Sequence, residues 1–128
     1  MNYLLDTHLL VWTAHEPERL SQVAVELIAD PGNALYFSVI GIWEVAIKQS
    51  LGRASFTVDA PILRRGLLSN GFRELPLTSD HALAILHLPP IHQDPFDRIL
   101  VAQAISEGIT LLTTDSMVAR YAGPIRKV

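Results

Sequence analysis

His92–Gly108 reads HQDPFDRILVAQAISEG, and the rest of the chain is organised around it. Pro95 suits the first turn of a helix, where its missing N–H has no hydrogen bond to make. Asp94 then falls at the N-cap and Asp97 inside the first turn, where unpaired backbone N–H groups favour negative charge. The apolar run from Ile99 to Ile105 carries the helix onward. Taken alone, Asp94-x-x-Asp97 is equally a capping-box variant with Asp in place of Glu or Gln. What it means depends on where the other acids fall.

Working outward, ITLLTTD (109–115) is a strand that closes at Asp115. SMVARYAG (116–123) follows as a short helix and PIRKV (124–128) as a last edge strand. Upstream, Leu88-Pro89-Pro90 ends a helix over TSDHALAILHL (78–88), capped by Thr78 or Ser79, and leads as a loop into His92. FRELPL (72–77) is a short strand. Asp59-Ala60-Pro61 opens a helix that runs through ILRRGLLSNG to Gly71, with Arg64 and Arg65 on its solvated face. SVIGIWEVAIKQSLG (38–52) reads as a helix with Ile40, Trp43 and Ile47 on one face and a stop at Gly52. ALYFSV (34–39) is rich in aromatic and β-branched residues, as a buried strand is. Ser21 caps a helix marked by Val23, Leu27 and Ile28 and ended by Asp30-Pro31-Gly32. At the N-terminus, strand Tyr3–Leu5 hands over at Asp6 to a helix over Thr7–Ala14. Strands alternating with helices predict an α/β fold with a parallel sheet between helices.

Composition narrows the chemistry. A length of 128 residues predicts one domain, spanning 1–128. Nearly half the residues, 49%, are hydrophobic, enough for a substantial core. The absence of cysteine excludes disulfides, thiolate metal sites and a cysteine nucleophile, and fits a reducing cytoplasm. No basic leader or membrane-length apolar run is visible. The net charge of −3 is unlike that of a plain nucleic-acid-binding module. If the substrate is a nucleic acid, local basic residues or bound cations must offset that charge.

In an open parallel sheet, ligands bind beyond the carboxyl ends of the strands. Asp6 and Asp115 both fall at such ends. Asp97 lies at a helix N-terminus that can face the same edge, and Glu44 sits a turn or two into the helix after the second strand. Glu44 is also placed for an i,i+4 pair with Lys48. Carboxylates gathered on one rim repel one another, and a divalent cation relieves that repulsion. Oxygen ligands point to Mg²⁺ or Mn²⁺ rather than zinc, and such ions suit phosphodiester hydrolysis by water.

The motifs LLDTHLLVW (4–12), SVIGIWEVAIK (38–48), HQDPFDRILVAQA (92–104) and LLTTD (111–115), in this order and at these spacings, resemble the PIN-domain family. More narrowly, they resemble the VapC-type toxins of bacterial toxin–antitoxin pairs. The resemblance runs from Met1 to about Arg120. It implies a three-layer α/β/α PIN-like fold and a Mg²⁺- or Mn²⁺-dependent endoribonuclease. It further implies inhibition by a cognate VapB-type antitoxin and a homodimeric state. By this similarity the catalytic and metal-holding acids fall on Asp6, Glu44, Asp97 and Asp115, with Asp94 supporting the helix that presents Asp97.

Hydroxyls beside the acids, on Thr7, Ser38 and Thr114, can bond carboxylates or metal waters, or simply cap and end elements. Arg98 can meet a phosphate or pair with a carboxylate. Lys48, Arg53 and Arg120 are candidate RNA contacts. His92 and His8 lie near the acids in roles more structural than ligating, and Trp12 and Trp43 belong to the core or an interface. A haloacid-dehalogenase site would need Asp-x-Asp where the chain has Asp6-Thr7-His8. A receiver domain would need a lysine after Thr113-Thr114-Asp115. The competing reading is a non-catalytic α/β partner-binding module whose acids are helix caps.

Overall fold

The computed structural model describes residues 1–128. Five strands form one sheet: β1 (Asn2–Leu5), β2 (Ala34–Ser38), β3 (Arg73–Leu75), β4 (Thr110–Thr113) and β5 (Ile125–Lys127). Their order is β3-β2-β1-β4-β5, and every pairing is parallel. Six α-helices join them: α1 (Thr7–His15), α2 (Gln22–Ala29), α3 (Val39–Ser50), α4 (Ala60–Ser69), α5 (Ser79–Ala84) and α6 (Pro95–Glu107). No helix is long and apolar enough to cross a membrane.

The central strands are apolar on both faces because both faces are covered. Side chains alternate across a strand, so neighbours in sequence enter opposite cores. Leu4 and Leu111 pack with Leu100, Val101 and Tyr121 on one side. Tyr3, Leu5 and Leu112 pack with Leu9, Leu10, Phe37, Leu63 and Leu67 on the other. Three layers result, helices above and below one sheet, as the alternation of elements predicted.

The helices start where their side chains can accept the first free N–H groups. Asp6, Ser21, Asp59, Thr78 and Asp94 all sit at N-caps with that bond made. Gly108 ends α6 in the left-handed region, at φ 66°, where a side chain would be strained.

Three local expectations give way to packing. SMVARYAG forms only one 3₁₀ turn, Val118–Arg120, because the chain straightens at Tyr121 to bury that ring. The segment 78–88 breaks after Ala84 into a 3₁₀ turn, Ile85–His87, since a residue ahead of proline disfavours the α conformation and Pro89-Pro90 follow closely. On α3 the buried face is Ile40, Gly41 and Val45, while Trp43 is 56% exposed. Gly41 explains the rotation. A Cβ there would stand 3.3 Å from both Leu10 Cδ1 and Thr7 Oγ1, so a larger residue would push those side chains by a few tenths of an ångström, and glycine lets α3 lie close to α1 without that.

Candidate functional site

Strand order reverses direction at β1, which has β2 on one side and β4 on the other. The crevice beyond the carboxyl ends of β1 and β4 is therefore the expected ligand position. Asp6 follows β1 directly. Its Oδ1 accepts from Leu9 N at 2.9 Å, capping α1. Its Oδ2 accepts from Thr113 Oγ1 at 2.7 Å and from Thr114 N at 3.3 Å. These bonds fix a carboxyl group that is almost wholly buried, and burial pushes its pKa up despite them. The register makes Thr113 its neighbour: Leu5 pairs with Leu112, so the next residues along each strand also meet.

Asp97 projects from the first turn of α6, half-buried. Burial raises its pKa most, and the nearby charges of Asp94, Asp6 and Glu44 raise it further. His92 works in the opposite direction, and the net position is about 6. Carboxylates from the end of β1, from α3 and from the start of α6 therefore share one field. Glu44 keeps a side chain only 12% exposed and bonds Lys48 Nζ at 3.0 Å, so it has the helical pair and a place near Asp97 together.

Asp115 is joined to this group through His92. His92 Nε2 lies 2.9 Å from Asp97 Oδ2 and 3.5 Å from Asp115 Oδ2. Asp115 Oδ1 also accepts from Met117 N at 2.7 Å, which pins the turn after β4. Asp94 Oδ1 accepts from Phe96 N at 2.8 Å and Asp97 N at 3.2 Å, so it is the cap of α6. Donor atoms of His92, Asp94 and Asp97 all lie within 4.8 Å of one another. This is a mixed set of carboxylate oxygens and one imidazole nitrogen. Its charge and spacing fit a divalent cation, and Asp97, raised first by burial and then by the charge of Asp94, is a carboxyl that such an ion would hold ionised.

Several expected helpers have other work. Arg98 meets no carboxylate: its Nη1 donates to Pro89 O at 3.0 Å, Tyr121 Oη at 3.1 Å and His92 O at 3.4 Å, tying down the loop before α6. Ser38 caps α3 and donates to Gln103 Oε1 at 2.6 Å, a buried bond between α3 and α6. Thr114 serves Asp6 through its backbone N–H, and the hydroxyl that serves it belongs to Thr113. Thr7 Oγ1 is buried without a partner. Arg53 is exposed and bonds nothing with its side chain, and Arg120 reaches only Met117 Sδ at 3.6 Å. Trp12 lies beneath the Arg19 guanidinium and stacks on His8. The residues that sequence reading passed over are thus Thr113 and, as a full member of the cluster, His92. The strand register was the available signal for Thr113.

Apolar surface borders the rim. Trp43 meets Phe96 edge to face at 5.4 Å, and with Ile40, Leu77, Pro95 and Ile99 they line a cavity of about 250 Å³. A larger cleft of about 410 Å³ lies between α1, α2 and α4, lined by Ile28, Leu35, Leu63, Leu67 and Phe72 and holding no carboxylate.

Comparison with known proteins agrees with this architecture. The PIN domain family model matches residues 3–124. Ribonuclease VapC22 of Mycobacterium tuberculosis (strain ATCC 25618 / H37Rv) is 30% identical over 123 residues, 94% of this chain and 92% of that protein. A chain in the crystal structure of VapBC2 from Rickettsia felis bound to a DNA fragment from their promoter superposes with a TM-score of 0.74. The identity is 16%, and the match covers 99% of this chain and 98% of that one. A chain of the DNA-bound VapBC from Salmonella typhimurium gives 0.70 at 16% identity, covering 99% and 98%. At those identities the structures speak for the fold alone. The family match over nearly the whole sequence, with the curated relative beside it, places this chain in the PIN-domain family, among its VapC-type members.

Proposed function

We propose that this chain, as a single domain over residues 1–128, is a divalent-metal-dependent endoribonuclease and the toxin of a VapBC-type pair. One observation carries the reading. The Asp97 carboxyl is held near pKa 6 by burial and by Asp94, Asp6 and Glu44, acids brought together from separate elements of the fold. A protein that used its acids only as caps has no need of that convergence. Asp6 and Asp94 do cap helices. Neither Asp97 nor Glu44 caps anything.

In this reading Asp6, Asp97 and Asp115 would hold Mg²⁺ or Mn²⁺, and Glu44 would complete the set or orient the attacking water. A bound cation would neutralise charge on the phosphoryl oxygens and make water easier to deprotonate. The chain's own contribution is position. Thr113 and the N–H groups of Leu9 and Thr114 fix both oxygens of Asp6. Asp94 fixes the turn that presents Asp97, and the Arg98 clamp fixes the loop beside it. Water adds to phosphorus as the bond to the 3′-oxygen breaks, leaving a 5′-phosphate and a 3′-hydroxyl. Lys48 and the exposed Arg53 and Arg120 supply positive charge for the RNA backbone against a net charge of −3. Neutralisation comes from a VapB-type antitoxin segment that covers the acidic rim, offering a basic side chain in competition with the cation. The working state is a cytoplasmic homodimer.

The test uses purified protein, freed of antitoxin, on total RNA with Mg²⁺, Mn²⁺ or a chelator, and sequences the fragment ends. Cleavage that needs the ion and disappears in Asp6→Asn and Asp97→Asn supports the reading. Both variants cutting at the wild-type rate would overturn the site.

A further inference from the structure

His92 places an imidazole nitrogen among the acids, and its backbone is tied down there. Its backbone N–H donates to Tyr121 Oη at 2.9 Å, and its carbonyl accepts from Arg98 Nη1 at 3.4 Å. Tyr121 is itself buried, and Arg98 bonds it at 3.1 Å. Arg98 follows Asp97 on α6, so the helix that presents Asp97 also anchors the loop that presents His92. From this anchored backbone the ring aims Nε2 between Asp97 Oδ2 at 2.9 Å and Asp115 Oδ2 at 3.5 Å. Two donors at right angles on a small divalent ion stand roughly 3 Å apart, which suits His92 Nε2 and Asp97 Oδ2, and the donor atoms of His92, Asp94 and Asp97 all lie within 4.8 Å of one another.

We propose that His92 Nε2 is a ligand of the divalent cation, alongside Asp97, and that it tilts the centre from Mg²⁺ toward Mn²⁺. The inference rests on the metal-dependent reading above and deepens it. Mg²⁺ is a hard ion that prefers oxygen and keeps its waters, whereas Mn²⁺ accepts imidazole more readily. A rim of carboxylates alone would discriminate between them weakly. One fixed imidazole adds a donor that only one of the two ions uses well.

The experiment reads metal binding rather than turnover. Pulsed electron paramagnetic resonance of Mn²⁺-loaded wild-type protein should show coupling to an imidazole nitrogen, with a pattern that changes when isotope-labelled histidine is incorporated. His92→Gln should abolish that coupling, and circular dichroism reports whether the variant is folded. By calorimetry, the variant should lose roughly 10-fold or more in Mn²⁺ affinity and less than about 3-fold in Mg²⁺ affinity. The wild-type spectrum stands even if the variant misfolds. Mn²⁺ binding without nitrogen coupling, or equal losses for both ions, overturns the inference. RNA cleavage by the wild-type protein then tells whether the proposed function survives. A wild-type protein that binds neither ion and leaves RNA intact overturns both.

Discussion

The two ends of α6 each carry a histidine–carboxylate pair of nearly the same length. At the first turn, His92 Nε2 lies 2.9 Å from Asp97 Oδ2, and at the last residue His81 Nε2 lies 2.8 Å from Glu107 Oε1. Their settings have little in common. His81 is fully buried, and its Nδ1 accepts from Thr78 N, completing the capping box of α5. Nε2 must then carry the proton and donate it to Glu107, whose side chain is 42% exposed to water. That pair fastens α5 to α6. The other pair sits among Asp94, Asp6 and Glu44, and its carboxyl is pushed up to about 6. What separates the two histidine–acid pairs is therefore the setting of the carboxyl, its burial first and the neighbouring charges second.

The widest separation between the two pairs should appear in cleavage. Asp97→Asn should lower RNA cleavage by at least about 100-fold, the scale expected when a ligand of a catalytic ion is removed. Glu107→Gln should leave the rate as it was. Equal effects in a gel assay would erase the distinction. Stability should order the two histidines the other way. His81→Ala removes a buried ring and an N-cap bond and should cost roughly 2–3 kcal/mol in urea unfolding. His92→Ala, at a half-buried rim, should cost less than about 1 kcal/mol.

A pH series sharpens the contrast. In the metal-free protein the folded pKa of Asp97 lies near 6, above its unfolded value of about 3.9. Folding then favours the protonated form, so this contribution is fully present below about pH 4 and is lost as pH rises through 6. The loss should be on the order of 1–2 kcal/mol by chemical denaturation, discounted for partial exposure. Asp97→Asn should flatten it, and saturating Mn²⁺ at neutral pH should reverse it. Glu107→Gln should leave the curve unchanged. The smallest expected effect is on stability in Glu107→Gln. The amide oxygen still accepts from His81, so the change should stay within about 0.5 kcal/mol.

Much of this could be read along the chain. Tyr3–Leu5, ALYFS and TLLT announce parallel strands through their apolar, aromatic and β-branched residues, and Asp6, Ser21, Asp59 and Asp94 announce helix starts through their side chains. Trp43 was legible only as apolar. Its outward place goes with the close approach of α3 to α1 at Gly41, a contact between segments with no local trace. Arg98 beside Asp97 suggested a phosphate contact, yet Pro89, His92 and Tyr121 supply its partners. Thr113 was overlooked for Thr114 because which hydroxyl reaches Asp6 depends on strand register.

By itself the sequence determined the alternation of strands and helices, the caps, and the position of Asp6, Asp97 and Asp115 at the ends of elements. Those are local matters, set by side-chain periodicity and by backbone N–H groups within a few residues. Only the tertiary structure decided that His92 enters the acidic rim, that Thr113 holds Asp6 and that Arg98 clamps a loop. Those depend on the distance between atoms whose residues lie far apart in the chain or in a loop without periodicity. Packing of the whole sheet and its helices fixes such distances, and a local pattern does not encode them.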